Sequence, residues 1–273
     1  MAIYHSSFLL LCCSLLQTNS ALFSGHCTRC NARHSIPTTD DAIQAAFDLR
    51  QRMTSTGRID IDELSSNYNN DGLNPSLSTE QLYQRRGKMF GVLLCQHSPN
   101  DTSTVLLKAY AGKLGGQWNL PGWAPIIGKT PESLPIYCRL RDEVTQLFQR
   151  IEDVTTAKEE IDDLVKERAS LAKLALEEVQ SHYLLTNFRG ETRSISDAFV
   201  GKLPGGVGDC AAPKLVAEAK RRGLIPVGIA EIFVGATGGM SMSKGDGVLY
   251  DACEARCEKI AGFMLCGLDD FVV

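Results

Sequence analysis

Between Pro135 and Gly190 the chain contains neither proline nor glycine. Few features restrict a fold more, because both residues that interrupt helices are missing from a long polar stretch. Leu147, Ile151, Val154, Ile161, Val165 and Val179 recur there at spacings of three, four or multiples of seven, with acids and bases between them. That periodicity predicts helix, and a single helix of about 45 residues would run roughly 65 Å. A small domain cannot bury so long a stripe. The segment is therefore expected to fold back as a helical hairpin, or to pair with a partner or a second copy in coiled-coil fashion. It is read as a helical insertion over 135–189, a structural arm with a solvated charged face.

The flanking halves read as one α/β domain, its first part over 41–134 and its second over 190–273. With 273 residues, 44% of them hydrophobic and 22% charged, the chain is long enough for a sizeable core. Residues 41–53 have helical spacing, with Ile43, Ala46, Phe47 and Arg50 on one side. Residues 67–78 are rich in Asn, Gly, Pro and Ser and read as a loop. Two apolar runs, 89–96 and 104–111, read as a strand hairpin, followed by an irregular Gly/Pro/Trp segment over 112–128. Further on come a helix opening near Cys210 and closing at Gly223, a buried strand over 224–234, a flexible loop over 235–247 and a helix over 251–265. The net charge of −4, from 28 basic and 32 acidic residues, argues against a strongly electrostatic nucleic-acid binder and leaves room only for a local basic patch.

The first residues read as targeting. FLLLCCSLL at 8–16 is too short to span a bilayer and the right length for a signal-peptide core, with Ser20 and Ala21 as small residues for cleavage. Residues 22–40 carry Arg29 and Arg33, many hydroxyls and no acid before Asp40, the composition of a transit-like leader. Signal 1–21 followed by such a leader resembles the bipartite presequences of algae with secondary plastids. The expected location is the plastid, with secretion as the alternative. No later segment is apolar enough to span a membrane. Of ten cysteines, eight lie beyond the signal, too sparse for a disulfide framework. Cys27 and Cys30 form a C-x-x-C pair, but no second pair lies nearby and the context is the leader.

The constellation with metal geometry lies further along. Cys253 and Cys257 are four apart, so a helix places both sulfurs on one face. Cys210 opens the preceding helix, one strand away. In a helix–strand–helix unit three thiolates can converge on zinc and leave a fourth position open, the arrangement of a catalytic site. Helix N-termini favour the thiolate form.

This order resembles the zinc core of the cytidine-deaminase-like fold, a mixed sheet flanked by helices. There one helix brings a His or Cys followed two residues on by a Glu, and a later helix brings a Cys pair, the metal activating a water. The resemblance implies Cys210, Cys253 and Cys257 as metal ligands. The chain departs from it in having Cys253-x-x-x-Cys257 rather than C-x-x-C, and Ala212 where the Glu belongs. Asp209 and Glu231 are the nearby carboxylates able to substitute as catalytic groups. A second resemblance covers residues 87–268. TNFRGETRSISDAF, GDCAAPKLVAEAKRRGLIPVGIAEIFVGA, YDACEARCEKIAGFMLCGL and the upstream GGQWNLPGWAP are similar to the N-terminal accessory region of large RluA-type pseudouridine synthases. The catalytic H-R-L-D motif of those enzymes is missing, so pseudouridine synthesis by this chain is not expected.

Three readings follow. The first expectation is a non-catalytic or weakly catalytic zinc-binding module associated with RNA modification, whose partner is RNA or an RNA-modification enzyme. The second is a zinc-dependent deaminase-like hydrolase. The third is a metal-free structural or interaction domain in which three buried cysteines pack as small hydrophobes. Lys214, Lys220, Arg221 and Arg222, on or just after the Cys210 helix, are the candidate RNA-binding patch, although a solvated helix C-terminus accounts for the last three equally well.

Overall fold

Alternation along residues 88–96 sends Phe90, Val92 and Leu94 to one face of a strand and Gly91, Leu93 and Cys95 to the other. Around that strand the chain builds a mixed α/β fold. The computed structural model describes residues 22–60, 74–153, 158–238 and 243–271. The expected signal over 1–21, most of the loop expected over 67–78, Val154 of the apolar stripe and residues 239–242 of the glycine-rich loop lie outside the described residues.

In chain order the elements are β1 (Leu22–Cys27), β2 (Ala32–Pro37), α1 (Asp40–Thr56), α2 (Glu80–Gln84), β3 (Lys88–Gln96), β4 (Val105–Tyr110), α3 (Pro135–Asp153), α4 (Lys158–Ser181), β5 (Leu184–Thr186), β6 (Thr192–Ser194), α5 (Ile195–Ala198), α6 (Ala211–Arg221), β7 (Ile225–Val234) and α7 (Glu258–Met264). The central sheet has the order β4-β3-β7, with β3 antiparallel to both neighbours. α1 covers the face that carries Phe90, Val92, Ala230, Ile232 and Val234. α6, α7 and the β1–β2 hairpin share the core on the other face. Among the described residues no helix is long and apolar enough to cross a membrane.

α1 starts where Thr39 accepts a side-chain hydrogen bond from the Ala42 N–H, with Asp40 and Asp41 favourably placed in the first turn. It stops at Gly57, whose φ of 68° suits the left-handed cap. Its inward stripe is Ala42, Ala46, Leu49 and Met53, one position round from the expected one, and Phe47 faces outward. Small alanines let the helix approach the sheet more closely than Ile43 and Phe47 would allow. The long Pro- and Gly-free segment folds back: α3 packs against α4, burying Leu147 and Leu164.

Two segments take a form that the sequence reading did not anticipate. Residues 22–37, read as leader, form an antiparallel hairpin that buries Phe23 and Ile36 in the main core. The last helix starts at Glu258 rather than at 251, because Cys253 to Cys257 form a separate turn closed by the Cys257 N–H on the Cys253 carbonyl at 2.8 Å. The hairpin lies directly on α7. A Cβ on Gly25 would meet the Gly262 nitrogen at 2.4 Å and the Glu258 carbonyl at 2.5 Å. A Cβ on Gly262 would lie even closer to the His26 carbonyl. This backbone-on-backbone crossing is available only to glycine. Gly262→Ala should destabilise the chain by at least about 1–3 kcal/mol, the usual cost of overpacking. Urea unfolding checks it, and a wild-type midpoint would show that the hairpin does not dock this way.

Candidate functional site

Gly91 on β3 stands opposite Glu231 on β7. A side chain at Gly91 would meet Ala211 and Leu215 at 3.0 Å, so this glycine lets the first turn of α6 settle on the sheet. Glu231 points to the same face and is almost fully buried. Its carboxylate accepts the Ala212 N–H at 3.2 Å. The backbone at Ala212, where the deaminase-like pattern would place an acid, is thus met by an acid from the neighbouring strand. Burial pushes the Glu231 carboxyl up to about 8, and the neighbouring Cys210 adds to the shift.

Cys210 is the N-cap residue of α6, as expected, and Cys257 holds the same place on α7. The neighbouring Cys257 thiol lowers Cys210 to about 7 against the opposing effect of burial, and the Arg256 guanidinium lowers it further. Cys257 moves the opposite way, first through Cys210 and then through burial. Cys210, Cys253, Cys257 and Glu231 line one cavity of about 220 Å³, with Gly87, Lys88, Met89, Ala111, Lys244, Asp251 and Arg256 completing its wall. Lys88, Lys244 and Arg256 set three basic side chains around it, against the carboxyl groups of Asp251 and Glu231. A neighbouring groove shares Lys88 and adds the exposed Arg85 and Arg86.

The other expected groups do different work. Asp209 accepts the Tyr183 hydroxyl at 2.6 Å and is not part of the cavity wall. Burial raises its carboxyl, and the Tyr183 bond and the Lys214 charge oppose the rise. Lys214 is no surface cation: it is buried, donates to the Tyr110 and Gly112 carbonyls at 3.0 and 3.1 Å, and lies 4.9 Å from the Tyr110 ring centre. Burial lowers it to about 8. Lys220 donates to the Phe188 carbonyl at 3.2 Å, and Arg221 forms a paired contact with Glu218 at 2.7 Å. Arg222 caps the end of α6 and is exposed. Lys214 and Lys220 thus anchor α6 to its surroundings, while Arg221 pairs within the helix and Arg222 stays exposed.

A second group lies at the far end of the β1–β2 hairpin. Cys27, Cys30, His34 and Cys266 bring four metal-ligating atoms within 4.8 Å of one another, an arrangement compatible with zinc. Among the described residues no other set of three or more His, Cys, Asp or Glu donors is so compact. The trio Cys210, Cys253 and Cys257 shares a cavity but not that spacing. Sequence reasoning missed His34 and Cys266 and set Cys27 and Cys30 aside with the leader. The available signal was Cys27-x-x-Cys30-x-x-x-His34, ligand-like spacing around a tight turn. Comparisons with protein-family models, curated proteins and solved structures each give no match.

The Glu231 shift has a signed consequence. A carboxyl with a native pKa near 8, against 4.5 ordinarily, holds its proton longer in the folded chain. The unfolded chain ionises first as pH rises, so this group's contribution to stability is full below about 4.5 and is lost progressively up to about 8. Glu231→Gln keeps an acceptor for Ala212 and removes the titration. The urea midpoint of the wild type should fall relative to that of the variant between about pH 5 and 8. Parallel curves would place the carboxyl in its ordinary range.

Proposed function

We propose that this chain is a binding module of RNA modification, related to the accessory region of RluA-type pseudouridine synthases, with the Cys210–Glu231–Cys257 cavity as its working site. One observation carries the reading. The segments that bear the resemblance, GDCAAPK, AEIF and YDACEARC, lie up to forty-odd residues apart, yet each sends side chains into a single cavity. Packing alone does not require three such segments to expose thiols, a buried acid and an arginine to one opening. Lys88, Lys244 and Arg256 around that opening, with Arg85 and Arg86 in the adjoining groove, suit a phosphate-bearing ligand.

A second reading, a deaminase-like hydrolase, is favoured by Glu231. A helix, a strand hairpin, a helix opening on Cys210, a strand and a later helix opening on Cys257 follow in the order that the resemblance implies. Glu231 brings its carboxyl to the start of the Cys210 helix, where a proton shuttle would act. The three thiols lack the spacing of the compact donor set, so no metal-dependent step is assigned to them.

Fluorescence anisotropy with a labelled single-stranded RNA separates these ideas. Arg85→Glu with Arg86→Glu should weaken binding about tenfold or more and flatten its salt dependence. Reversing Arg221 and Arg222 should change little. The opposite pattern would move the RNA surface back to the end of α6. Ammonia release from cytidine, adenosine or RNA, lost in both Glu231→Gln and Cys210→Ala, would establish the hydrolase. Its absence across those substrates leaves the binding reading.

A further inference from the structure

We propose that Cys27, Cys30, His34 and Cys266 hold one structural zinc ion that clasps the N-terminal hairpin to the end of α7. This goes beyond the cavity reading and stands or falls separately from it. The four donors come from both ends of the described chain. Cys27 ends β1, Cys30 lies in the turn, His34 is on β2, and Cys266 follows α7 by two residues. Three thiols and an imidazole form a soft donor set that suits zinc.

The geometry favours a metal over chance proximity. The Cys30 and Cys266 sulfurs are 3.9 Å apart, close to the roughly 3.8 Å edge of a tetrahedron with zinc–sulfur bonds of about 2.3 Å. The His34 Nε2 lies 3.0 Å from the Cys30 sulfur, and about half an ångström of opening would admit both as ligands of one ion. His34 is nearly buried, and its other nitrogen, Nδ1, faces Asp269 Oδ2 at 2.5 Å. A carboxylate on Nδ1 fixes the proton there and turns the Nε2 lone pair toward the thiols, the usual outer partner of a metal-bound histidine. Asp269 is thus a positioning residue.

With four protein donors the site is closed, which marks it as structural rather than catalytic. Its location explains what it is for. The hairpin crosses α7 at Gly25 and Gly262, where no side chain can interlock, and a metal at the adjacent end supplies the fastening that interdigitation cannot. The hairpin contributes Phe23 and Ile36 to the same core cluster as Cys257 and Ile260, so the clasp also steadies the helix that lines the cavity. The competing fate of these thiols is oxidation, with a disulfide among Cys27, Cys30 and Cys266 and no zinc.

The test uses the full chain, expressed in zinc-replete medium and purified without chelator. Elemental analysis should find one zinc per chain, and intact mass should find the thiols reduced. Cys30→Ser, at an exposed position, should lose the zinc, whereas Cys210→Ala and Cys257→Ser should keep it. Asp269→Asn leaves all four ligands and should lower zinc affinity about tenfold to a hundredfold, read by competition with a chromogenic chelator. Cobalt substitution should give thiolate-to-metal absorption that Cys266→Ser weakens, a readout independent of overall stability. Wild-type protein without zinc, whether its thiols are free or paired, overturns the proposal. So does zinc that survives Cys30→Ser and leaves with Cys257→Ser.

Discussion

A carboxyl buried almost completely beneath α6 holds the rest of the site together. Glu231 stands on a central-sheet strand, on the face where an ionised acid is costly unless paired. It is accommodated because Gly91, directly across the register, leaves room for the start of α6. The Ala212 N–H, one of the unpaired donors of that first turn, then meets the acid. Helix, sheet and acid fix one another: a bulkier residue at Gly91 lifts α6, and lifting α6 removes the partner of Glu231. Cys210 sits at this junction, and the cavity it lines brings the start of α6 and Cys257 at the start of α7 to one opening.

Much of the scaffold was legible from periodicity. The α1, β3, β4, α6 and β7 segments follow apolar patterns with clear ends, and the absence of Pro and Gly marked the helical pair α3 and α4. The sequence suggested that Cys210, Cys253 and Cys257 share a metal, with Glu231 nearby; the structure sets all four in one cavity wall without the compact spacing of a common metal site. What pattern could not supply was direction. Lys214 reads as part of a basic run, but its position in the first turns of α6 aims it inward, where two carbonyls take the ammonium. Phe47 reads as core, and the alanine side of α1 faces the sheet instead. Arg85, Arg86 and Lys88 are unremarkable in sequence and become a cationic strip only when α2 and β3 are placed.

The hairpin was not legible as a folded element for a different reason. Arg29, Arg33 and a lack of acids are equally the composition of a leader and of a short surface hairpin. What separates the two is tertiary: Phe23 and Ile36 find a core, and the glycine crossing lets the hairpin reach it. Cys266 lies 236 residues from Cys30, a pairing that no local signal announces. Both ends of the described chain therefore meet on α7, and α7 presents Cys257 to the cavity at its other end.

The cavity is organised around the buried Glu231 carboxyl, which burial holds in its protonated form at neutral pH. Infrared difference spectroscopy between the wild type and Glu231→Gln should show a protonated-carboxyl band that is present in the wild type near pH 7, absent from the variant, and lost as the pH passes about 8. A difference confined to the ionised-carboxylate bands at neutral pH would mean that Glu231 is charged and that the cavity is not built around a neutral acid.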